Sequence, residues 1–326
     1  MHSPSPNEIY HTLLDTEAPL GEVFQAVEAW KLLLAEQIGE ADKMAENDDV
    51  QSQAGVAINV YEAFLCLTDC IRTAGFVRGL AAAVHEAQAR FPGECIRILY
   101  AGCGPYAALF QPLTSLFSEQ EIAVTLIEIN SETISMAQKT VEVFGWESYV
   151  DGWVEQDLLT WTNLGKPYHV AVTETMQKAL VKEGQILNSQ HLVTFLCPHG
   201  LLVPQEVRIT AATTAPEGSP GAKEVSPHLW LSPLADVFKL NLDTVPGFSF
   251  PYEYSLDMDK SMVSELEVYL LTEVRVFEDH ILHWGDSCLT YPVKVLNGMI
   301  PSPSASSIVF RLGPKEHPHW QVGAAS

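Results

Sequence analysis

Residues 98–104 read Ile-Leu-Tyr-Ala-Gly-Cys-Gly, a short apolar run that ends in a Gly-x-Gly turn, and this junction decides the fold. The apolar run begins at Ile96 and predicts a buried strand from Ile96 to Tyr100. Residues 107–116 are suited to continue as a helix after the turn. A strand, a tight turn and a helix in this order form the first unit of an open α/β sheet.

The same alternation continues downstream. Residues 124–129 predict a second buried strand with Glu128 near its end, and residues 130–144 predict a helix. Residues 169–173 predict another strand, and residues 189–196 predict another helix. Strands that alternate with helices predict a doubly wound, Rossmann-like parallel sheet.

Helical patterns precede this region and strand patterns follow it. Residues 19–45 and 57–89 have the apolar periodicity of helices, and the second is broken near Gly75. After Pro204 no long helix is predicted, and alternating segments favour an antiparallel β domain. The predicted strands are residues 207–211, 266–277, 287–295 and 307–312. The expected regions are a helical segment (1–95), the Rossmann-like domain (96–204) and the β domain (205–326).

The composition is that of an acidic globular protein. Among 326 residues, 18 are Lys or Arg and 41 are Asp or Glu, and the net charge of −23 argues against a nucleic-acid partner. The first residues lack the basic and apolar segments of a signal peptide, and no apolar run reaches membrane-spanning length. We expect a cytoplasmic protein without a membrane partner. The six cysteines lack CxxC and zinc-type spacing, which predicts reduced thiols and no metal site.

The Gly-x-Gly turn is a candidate cofactor site. Gly102 and Gly104 let the backbone approach a ligand closely, and Glu128 can accept hydrogen bonds from both hydroxyls of a ribose. NAD and S-adenosylmethionine both suit this arrangement. A dinucleotide motif would place a third glycine where this chain has Ala107, and Pro105 crowds the turn, which favours S-adenosylmethionine. A glycine turn without a ligand is the alternative.

Two glutamates form the most specific pattern. Glu174 follows the strand at residues 169–173, and Glu183 lies nine positions further on. A guanidinium presents planar pairs of N–H donors that match carboxylates, so two glutamates can hold it in register. Methyl transfer from a sulfonium needs the attacking nitrogen in line with the S–CH3 bond, and carboxylates can orient and activate that nitrogen. A solvated surface charge is the alternative for either glutamate.

With these residues, the chain resembles the protein arginine methyltransferases and their bacterial small-molecule relatives, which are class I S-adenosylmethionine-dependent methyltransferases. The resemblance covers about residues 55–212. The matching motifs are Asp69-x-x-Arg72-Thr73, Ala101-Gly102-Cys103-Gly104, Glu128, Asp157, Thr173-Glu174-x-Met176, Glu183 and Leu202-Val203-Pro204.

The resemblance assigns roles to these positions. It implies that Arg72 binds the carboxylate of the methyl donor, Glu128 its ribose and Asp157 its adenine, beside the turn formed by Gly102, Cys103 and Gly104. Asp157 has a plainer interpretation as a helix cap or a solvated loop residue.

On the substrate side, the resemblance implies that Glu174 and Glu183 bind and activate the acceptor, with Met176 beside them. It also implies a β-barrel behind the Rossmann-like domain and a homodimer, whose arm would fall in the Pro/Gly-rich loop at residues 213–221 together with residues 229–242.

The chain departs from the family pattern in three places. Tyr106 stands where a glycine is common, and residues 175–182 lack the aromatic side chains of the usual substrate pocket. The family's His-Trp loop has two candidates, His283-Trp284 and His319-Trp320, and neither lies in the full motif.

These departures and the acidic composition favour a small cationic substrate, such as free arginine or a guanidino or amino metabolite. Three alternatives stay open. The chain is a protein arginine methyltransferase, a methyltransferase that acts on a non-guanidine molecule, or a cofactor-binding protein without turnover.

Overall fold

The computed structural model of the chain describes residues 4–39, 49–163, 165–257, 267–296, 307–314 and 318–324. Helices and a short hairpin come first: α1 (Pro6–Leu14), α2 (Leu20–Gln37), β1 (Val50–Gln51), β2 (Val56–Ala57), α3 (Val60–Leu67) and α4 (Cys70–Arg90). Local sequence explains where these helices start. Ser5 caps α1 in a capping box with Glu8, and Asp69 caps α4 by accepting a hydrogen bond from the Arg72 N–H at 3.1 Å.

A five-stranded parallel sheet forms the centre of the molecule. Its elements are β3 (Ile96–Ala101), β4 (Ile122–Glu128), α5 (Ser131–Phe144), β5 (Val150–Glu155), β6 (Tyr168–Thr173), α6 (Gln185–Leu192) and β7 (Leu196–Val203). The strand order is β5-β4-β3-β6-β7, so the direction of winding reverses between β3 and β6. In open α/β sheets such a reversal leaves a crevice at the carboxyl ends of the two strands, where ligands bind.

Apolar side chains cover both faces of this sheet. Ile98 and Tyr100 belong to the large core that includes α4, whereas Leu99 and Ala101 belong to a second cluster with Leu192 of α6. Strands that are buried on both faces require the near-continuous apolar runs seen in the sequence. The predicted parallel α/β region, preceded by helices and followed by antiparallel strands, is confirmed at this level.

Antiparallel strands make up the rest of the chain. They are β8 (Glu206–Thr214), β9 (Lys223–Ser226), β10 (Leu229–Asn241), β11 (Tyr252–Asp257), β12 (Val268–Phe277), β13 (His280–Leu282), β14 (Val293–Leu296), β15 (Ser307–Gly313) and β16 (His319–Ala324). Within the described residues they form a six-stranded sheet, β13-β12-β8-β10-β9 with β14 also on β12, and a three-stranded sheet, β11-β15-β16. Phe238 of β10 joins the sheets, because its ring lies 5.1 Å from Tyr252 and 6.4 Å from Trp320.

The helix predicted for residues 107–116 is wrong. Ala107 has a φ of 47°, which a right-handed helix does not allow, and only a short 3-10 helix begins at Gln111. The buried Gln111 amide explains the difference. Its Oε1 accepts hydrogen bonds from the Tyr10 hydroxyl at 2.8 Å and from Trp30 Nε1 at 2.9 Å, so the N-terminal helices hold this segment as a turn.

Other predicted boundaries shift for packing reasons. The break predicted near Gly75 lies instead at Thr68 and Asp69, and Gly75 is inside α4. A Cβ at Gly75 would lie 2.7 Å from Leu282 Cδ2, so this glycine allows α4 to approach β13 closely. The strand predicted for residues 287–295 begins only at Val293. The predicted helix end at residue 45 and strand start at residue 266 lie outside the described residues.

Residues 229–242, where the dimerisation arm was expected, contain β10, which pairs with β8 along its length. This segment is therefore a sheet strand and not a projecting arm, and the homodimer stays a prediction. No helix among the described residues is long and apolar enough to cross a bilayer. The cytoplasmic location and the region boundaries at residues 95 and 204 also stay predictions.

The contact between α4 and β12 gives a direct test of this packing. A Cβ at Gly79 would lie 2.4 Å from Val276 Cγ1 and 3.3 Å from the Phe277 backbone N. We expect Gly79→Ala to lower the free energy of unfolding by about 1–3 kcal/mol, because the added methyl group overpacks this contact. The control is Gly21→Ala in α2, where an added Cβ would meet no atom within 4 Å; this substitution should be neutral or stabilising. Urea denaturation measures both, and equal effects would contradict the packing.

Candidate functional site

A cavity lies at the carboxyl ends of the parallel strands, where the winding of the sheet reverses. Each of the central strands contributes one part of its wall. The turn after β3 contributes Gly102, Cys103 and Gly104, β4 ends in Glu128, Asp157 follows β5 and Glu174 follows β6. Arg72 of α4 and Glu183 complete the set. The cavity thus brings together every predicted site residue except Met176, which is buried in the large core.

The glycine turn has the backbone that its sequence predicts. Gly102 and Gly104 both have a φ of 68°, a left-handed conformation that favours glycine. A Cβ at Gly102 would lie 2.5 Å from Thr175 Cγ2, whereas a Cβ at Gly104 would meet no atom within 4 Å. The first glycine therefore allows the turn to approach the loop after β6, and the second leaves open space beside the backbone.

Glu128 is held in place by backbone N–H groups. Its Oε1 accepts hydrogen bonds from Ile129 at 2.9 Å and from Asn130 at 3.2 Å, and its Oε2 accepts one from Gly104 at 3.2 Å. Burial raises the pKa of this carboxyl group, and the three N–H groups oppose the rise. Since a carboxylate oxygen has two lone pairs, Oε2 keeps the capacity to accept a further donor.

Asp157 is both a helix cap and a residue of the cavity wall, and its contact with adenine stays a prediction. Its Oδ1 accepts a hydrogen bond from Leu159 N at 2.9 Å and caps a 3-10 turn, while the residue also lines the cavity. Its Oδ2 accepts a hydrogen bond from Gln53 N at 2.9 Å, which ties the β1–β2 hairpin to this side of the cavity.

An ion pair between Arg72 Nη2 and Glu174 Oε2 crosses the cavity. The two side chains are only 8% and 13% exposed, and burial raises the pKa of Glu174 while the Arg72 guanidinium opposes that rise. Glu174 Oε1 is buried, and no donor among the described residues reaches it. A buried carboxylate oxygen without a donor is costly, so this atom is a place where a ligand N–H would be stabilised.

Glu183 adds a second buried carboxyl group to the same cavity. Its residue is 8% exposed, and its pKa is raised to about 7 by burial and then by the negative charge of Glu174. Arg72 and a hydrogen bond with Gln177 oppose this rise. Near neutral pH the group is therefore poised between its protonated and ionised forms, and a cation in the cavity would favour ionisation.

The loop that connects the two glutamates has a strained backbone, and hydrogen bonds to the end of the β region fix it. Ala179, Leu180 and Lys182 have φ values of 58°, 57° and 65°, which cost free energy in residues with a Cβ. Trp320 Nε1 donates to the Ala179 carbonyl at 2.8 Å, and Lys182 N donates to the Pro318 carbonyl at 2.7 Å. The final strand of the described chain thus fixes the loop.

These contacts distinguish the two His-Trp candidates. Trp320 contacts the loop between the glutamates, whereas His283 Nδ1 lies 3.2 Å from Glu273 Oε2 on the outer part of the β region. The segment around Cys288, between β13 and β14, also approaches the site. Cys288 N donates to Asp69 Oδ2 at 2.7 Å, and Cys288 Sγ lies 3.9 Å from Arg72 Nη1.

The β1–β2 hairpin packs against the loop that carries Glu183. Val56 N donates to the Lys182 carbonyl at 3.0 Å. A Cβ at Gly55 would lie 2.4 Å from the same carbonyl oxygen, so a side chain there would push the hairpin away. Because Gln53 is bound to Asp157 on the other side, the hairpin bridges the cavity from Lys182 to Asp157.

Sequence reasoning missed Gln185, which positions Glu174. Its buried amide accepts a hydrogen bond from Thr175 N at 2.9 Å and donates to the Thr173 carbonyl at 3.2 Å, so it holds the backbone on both sides of Glu174. The sequence showed only a polar residue two positions after Glu183, because the helix was predicted from residue 189, whereas α6 begins at Gln185. The hairpin was missed because β1 and β2 have only two residues each.

No family model matches the chain, and no curated protein matches it. Among solved structures, the chain is similar to one described as the Trypanosoma brucei PRMT1 enzyme-prozyme heterotetrameric complex with AdoHcy. The identity is 14%, the TM-score is 0.49, and the match covers 80% of this chain and 96% of that chain. A likeness this distant is no evidence of a shared activity, so the cavity itself must support the functional conclusion.

The raised pKa of Glu183 predicts how stability depends on pH. The unfolded chain ionises this group near its ordinary value of 4.5, whereas the folded chain holds the proton up to about 7. Folding is therefore disfavoured progressively between pH 4.5 and 7, by up to about 3 kcal/mol above pH 7.

We expect Glu183→Gln to remove this loss, so that it stabilises the protein at pH 8 and has little effect at pH 4.5. Urea denaturation at both pH values measures the difference, and the exposed Glu217→Gln is the matched control. The same effect of Glu183→Gln at both pH values would contradict the raised pKa.

Proposed function

We propose that this protein is an S-adenosylmethionine-dependent N-methyltransferase that acts on the guanidinium group of a small cationic molecule. One observation carries the proposal. Glu174 Oε1 is buried, no donor in the described part of the chain reaches it, and Glu183 lies in the same cavity, so two carboxyl groups are placed to accept from the N–H groups of a planar cation.

The residues of the cavity fit the methyl donor. The Gly102–Gly104 turn offers a close backbone approach, and Glu128 Oε2 is available to a ribose hydroxyl. Arg72 is suited to the donor's carboxylate, since it is a buried cation on the cavity wall and its Nη1 lies 3.9 Å from Cys288 Sγ, a weak acceptor. Asp157 would face the adenine. The strand order supports a Rossmann-like interpretation of this region. When bound, the donor supplies an electrophilic methyl group on a positively charged sulfur.

In this proposal the chain's own residues orient and activate the acceptor. Its nitrogen forms the new N–C bond as the S–CH3 bond breaks, a neutral thioether leaves, and the nitrogen gives one proton to the ionised carboxylate of Glu183, so that a methylated guanidinium remains. Glu174 and Glu183 accept hydrogen bonds from the guanidinium and fix the direction of its attacking nitrogen. Arg72 and Gln185 hold Glu174 in position, one through its side chain and the other through the neighbouring backbone. A positive acceptor favours the ionised form of Glu183, and two carboxylates concentrate electron density on the nitrogen that attacks.

The position of the β1–β2 hairpin against the loop that carries Glu183 supports a small acceptor. Glu183 is 8% exposed, and hairpin residues 52–57 lie across the loop that carries it. A peptide would need an open groove at this place. The protein arginine methyltransferase alternative is therefore less well supported than a small guanidine, and a peptide belongs in the test as a competing acceptor.

The decisive experiment is a mass-spectrometric assay with isotope-labelled S-adenosylmethionine and a panel of small guanidines, simple amines and an Arg-rich peptide. We expect label on a guanidine nitrogen of a small acceptor. Glu174→Gln and Glu183→Gln should each reduce turnover by about 100-fold or more, because each removes a charge that acts in the transition state. Glu217→Gln, which changes an exposed carboxylate to the same amide, should turn over normally.

Calorimetric titration of the donor accompanies this assay, since both glutamine variants should still bind it. Donor binding with no label on any acceptor would support a binding protein without turnover. Label only on amines would support the non-guanidine alternative. Either result would remove the proposed roles of the two glutamates.

Acceptor binding should also depend on pH. Only the ionised form of Glu183 pairs with a cation, so the affinity should rise by about tenfold per pH unit below pH 7 and level off above it. Calorimetric titration of a small guanidine from pH 5.5 to 8.5 measures this. The dependence should disappear in Glu183→Gln, and a variant that retained it would assign the titration to another group.

A further inference from the structure

The charges that line the cavity are strongly unbalanced. Among the described residues, its wall has four carboxylates, those of Glu128, Asp157, Glu174 and Glu183, and a single cationic side chain, Arg72. That guanidinium is already paired with Glu174. The remaining carboxylates have no cationic side chain on the wall, so the cavity presents a negative potential to any acceptor.

The hairpin and α3 give the cavity a wall that is mostly apolar. The hairpin contributes Val56, Ala57 and Ile58, and α3 contributes Ala63, Cys66 and Leu67. The Cys66 thiol lines the same cavity, and its burial raises its pKa to about 11, a rise that Arg72 opposes and that Glu174 and Glu183 increase. An alkyl chain would pack on this surface, but an anion there would lose water without gaining a cation.

These two properties matter for free arginine. A short alkyl chain separates its guanidinium from its α-carboxylate, so a guanidinium held by Glu174 and Glu183 brings the carboxylate into the same covered region. There it would lie between the two glutamates and the apolar wall, because Glu128 and Asp157 are assigned to the donor. Like charges brought together in a desolvated site oppose binding strongly.

We propose that the acceptor is a small guanidine without a carboxylate, such as an alkylguanidine or an aminoalkylguanidine, and that free arginine is excluded by the negative charge of its α-carboxylate. This inference rests on the proposed methyltransferase function and narrows its substrate class. A reaction that removes the carboxylate from an amino acid, or masks it as an amide or ester, must supply such a substrate.

A matched pair of acceptors isolates the carboxylate. L-Argininamide differs from L-arginine in having an uncharged amide at this position, and agmatine lacks the group altogether. We expect both to bind at least about tenfold more tightly than L-arginine in calorimetric titrations without the donor, and to be methylated with a correspondingly higher kcat/KM.

A charge placed on the wall should reverse the preference. Ala57→Lys adds a cation at the hairpin surface, and we expect it to raise the kcat/KM for L-arginine relative to L-argininamide by about tenfold. Ala57→Met adds similar bulk without charge and should leave the ratio unchanged. An equal change in both variants would attribute the effect to shape and overturn the electrostatic explanation.

The outcomes separate this inference from the function on which it rests. If L-arginine is bound and methylated as well as L-argininamide, the inference fails while the guanidine methyltransferase stands. If the donor binds but no guanidine is methylated, the proposed function fails, and the narrower substrate class fails with it.

Discussion

The buried ion pair between Arg72 and Glu174 is the interaction on which the site depends. It joins the first turn of α4 to the residue after β6, and so connects the N-terminal helices to the centre of the sheet. Each partner loses water on burial, and neither would be tolerated there alone, because an unpaired buried charge is far more costly than a pair. The helix must therefore lie where Asp69 and its cap place Arg72 against the sheet.

The carboxylate of Glu183 has no such guanidinium to compensate its burial. Glu183 shares the cavity with Glu174, but the single guanidinium is already bound, and the fold retains the group at the cost of a raised pKa. Two other features also destabilise the fold: the left-handed residues of the loop, and Glu174 Oε1, which has no donor within the described ranges of the chain. Proteins commonly keep such destabilising arrangements where they bind ligands, because the ligand supplies the missing interactions.

Much of this arrangement could be predicted from the sequence because it depends on local patterns. Apolar runs bounded by Gly102 and Glu128 predict parallel strands, and residues at strand ends converge at one edge of a parallel sheet. Tertiary contacts decide the rest. The turn at Ala107 depends on Gln111 and on aromatic residues from α1 and α2, which no local window contains.

The roles of Gln185 and of the hairpin escaped prediction for a similar reason. A buried amide has no periodic signature, and a hairpin with two residues in each strand has too few positions to show alternation. Met176 illustrates the opposite error. Its spacing from Glu174 matches the family motif, yet its side chain is buried in the core and does not line the cavity.

The contacts that hold the glutamate loop join parts of the chain that are far apart in sequence. Val56 and Pro318 both bond to Lys182, and Asp69 bonds to Cys288 across 219 positions. Contacts of such long range require large loops to close before they contribute any stability, so they form late in folding. The cavity is therefore among the last features to become ordered as the chain folds, and an isolated central sheet would retain the strand ends at Gly102 and Glu128 without a fixed loop between Glu174 and Glu183.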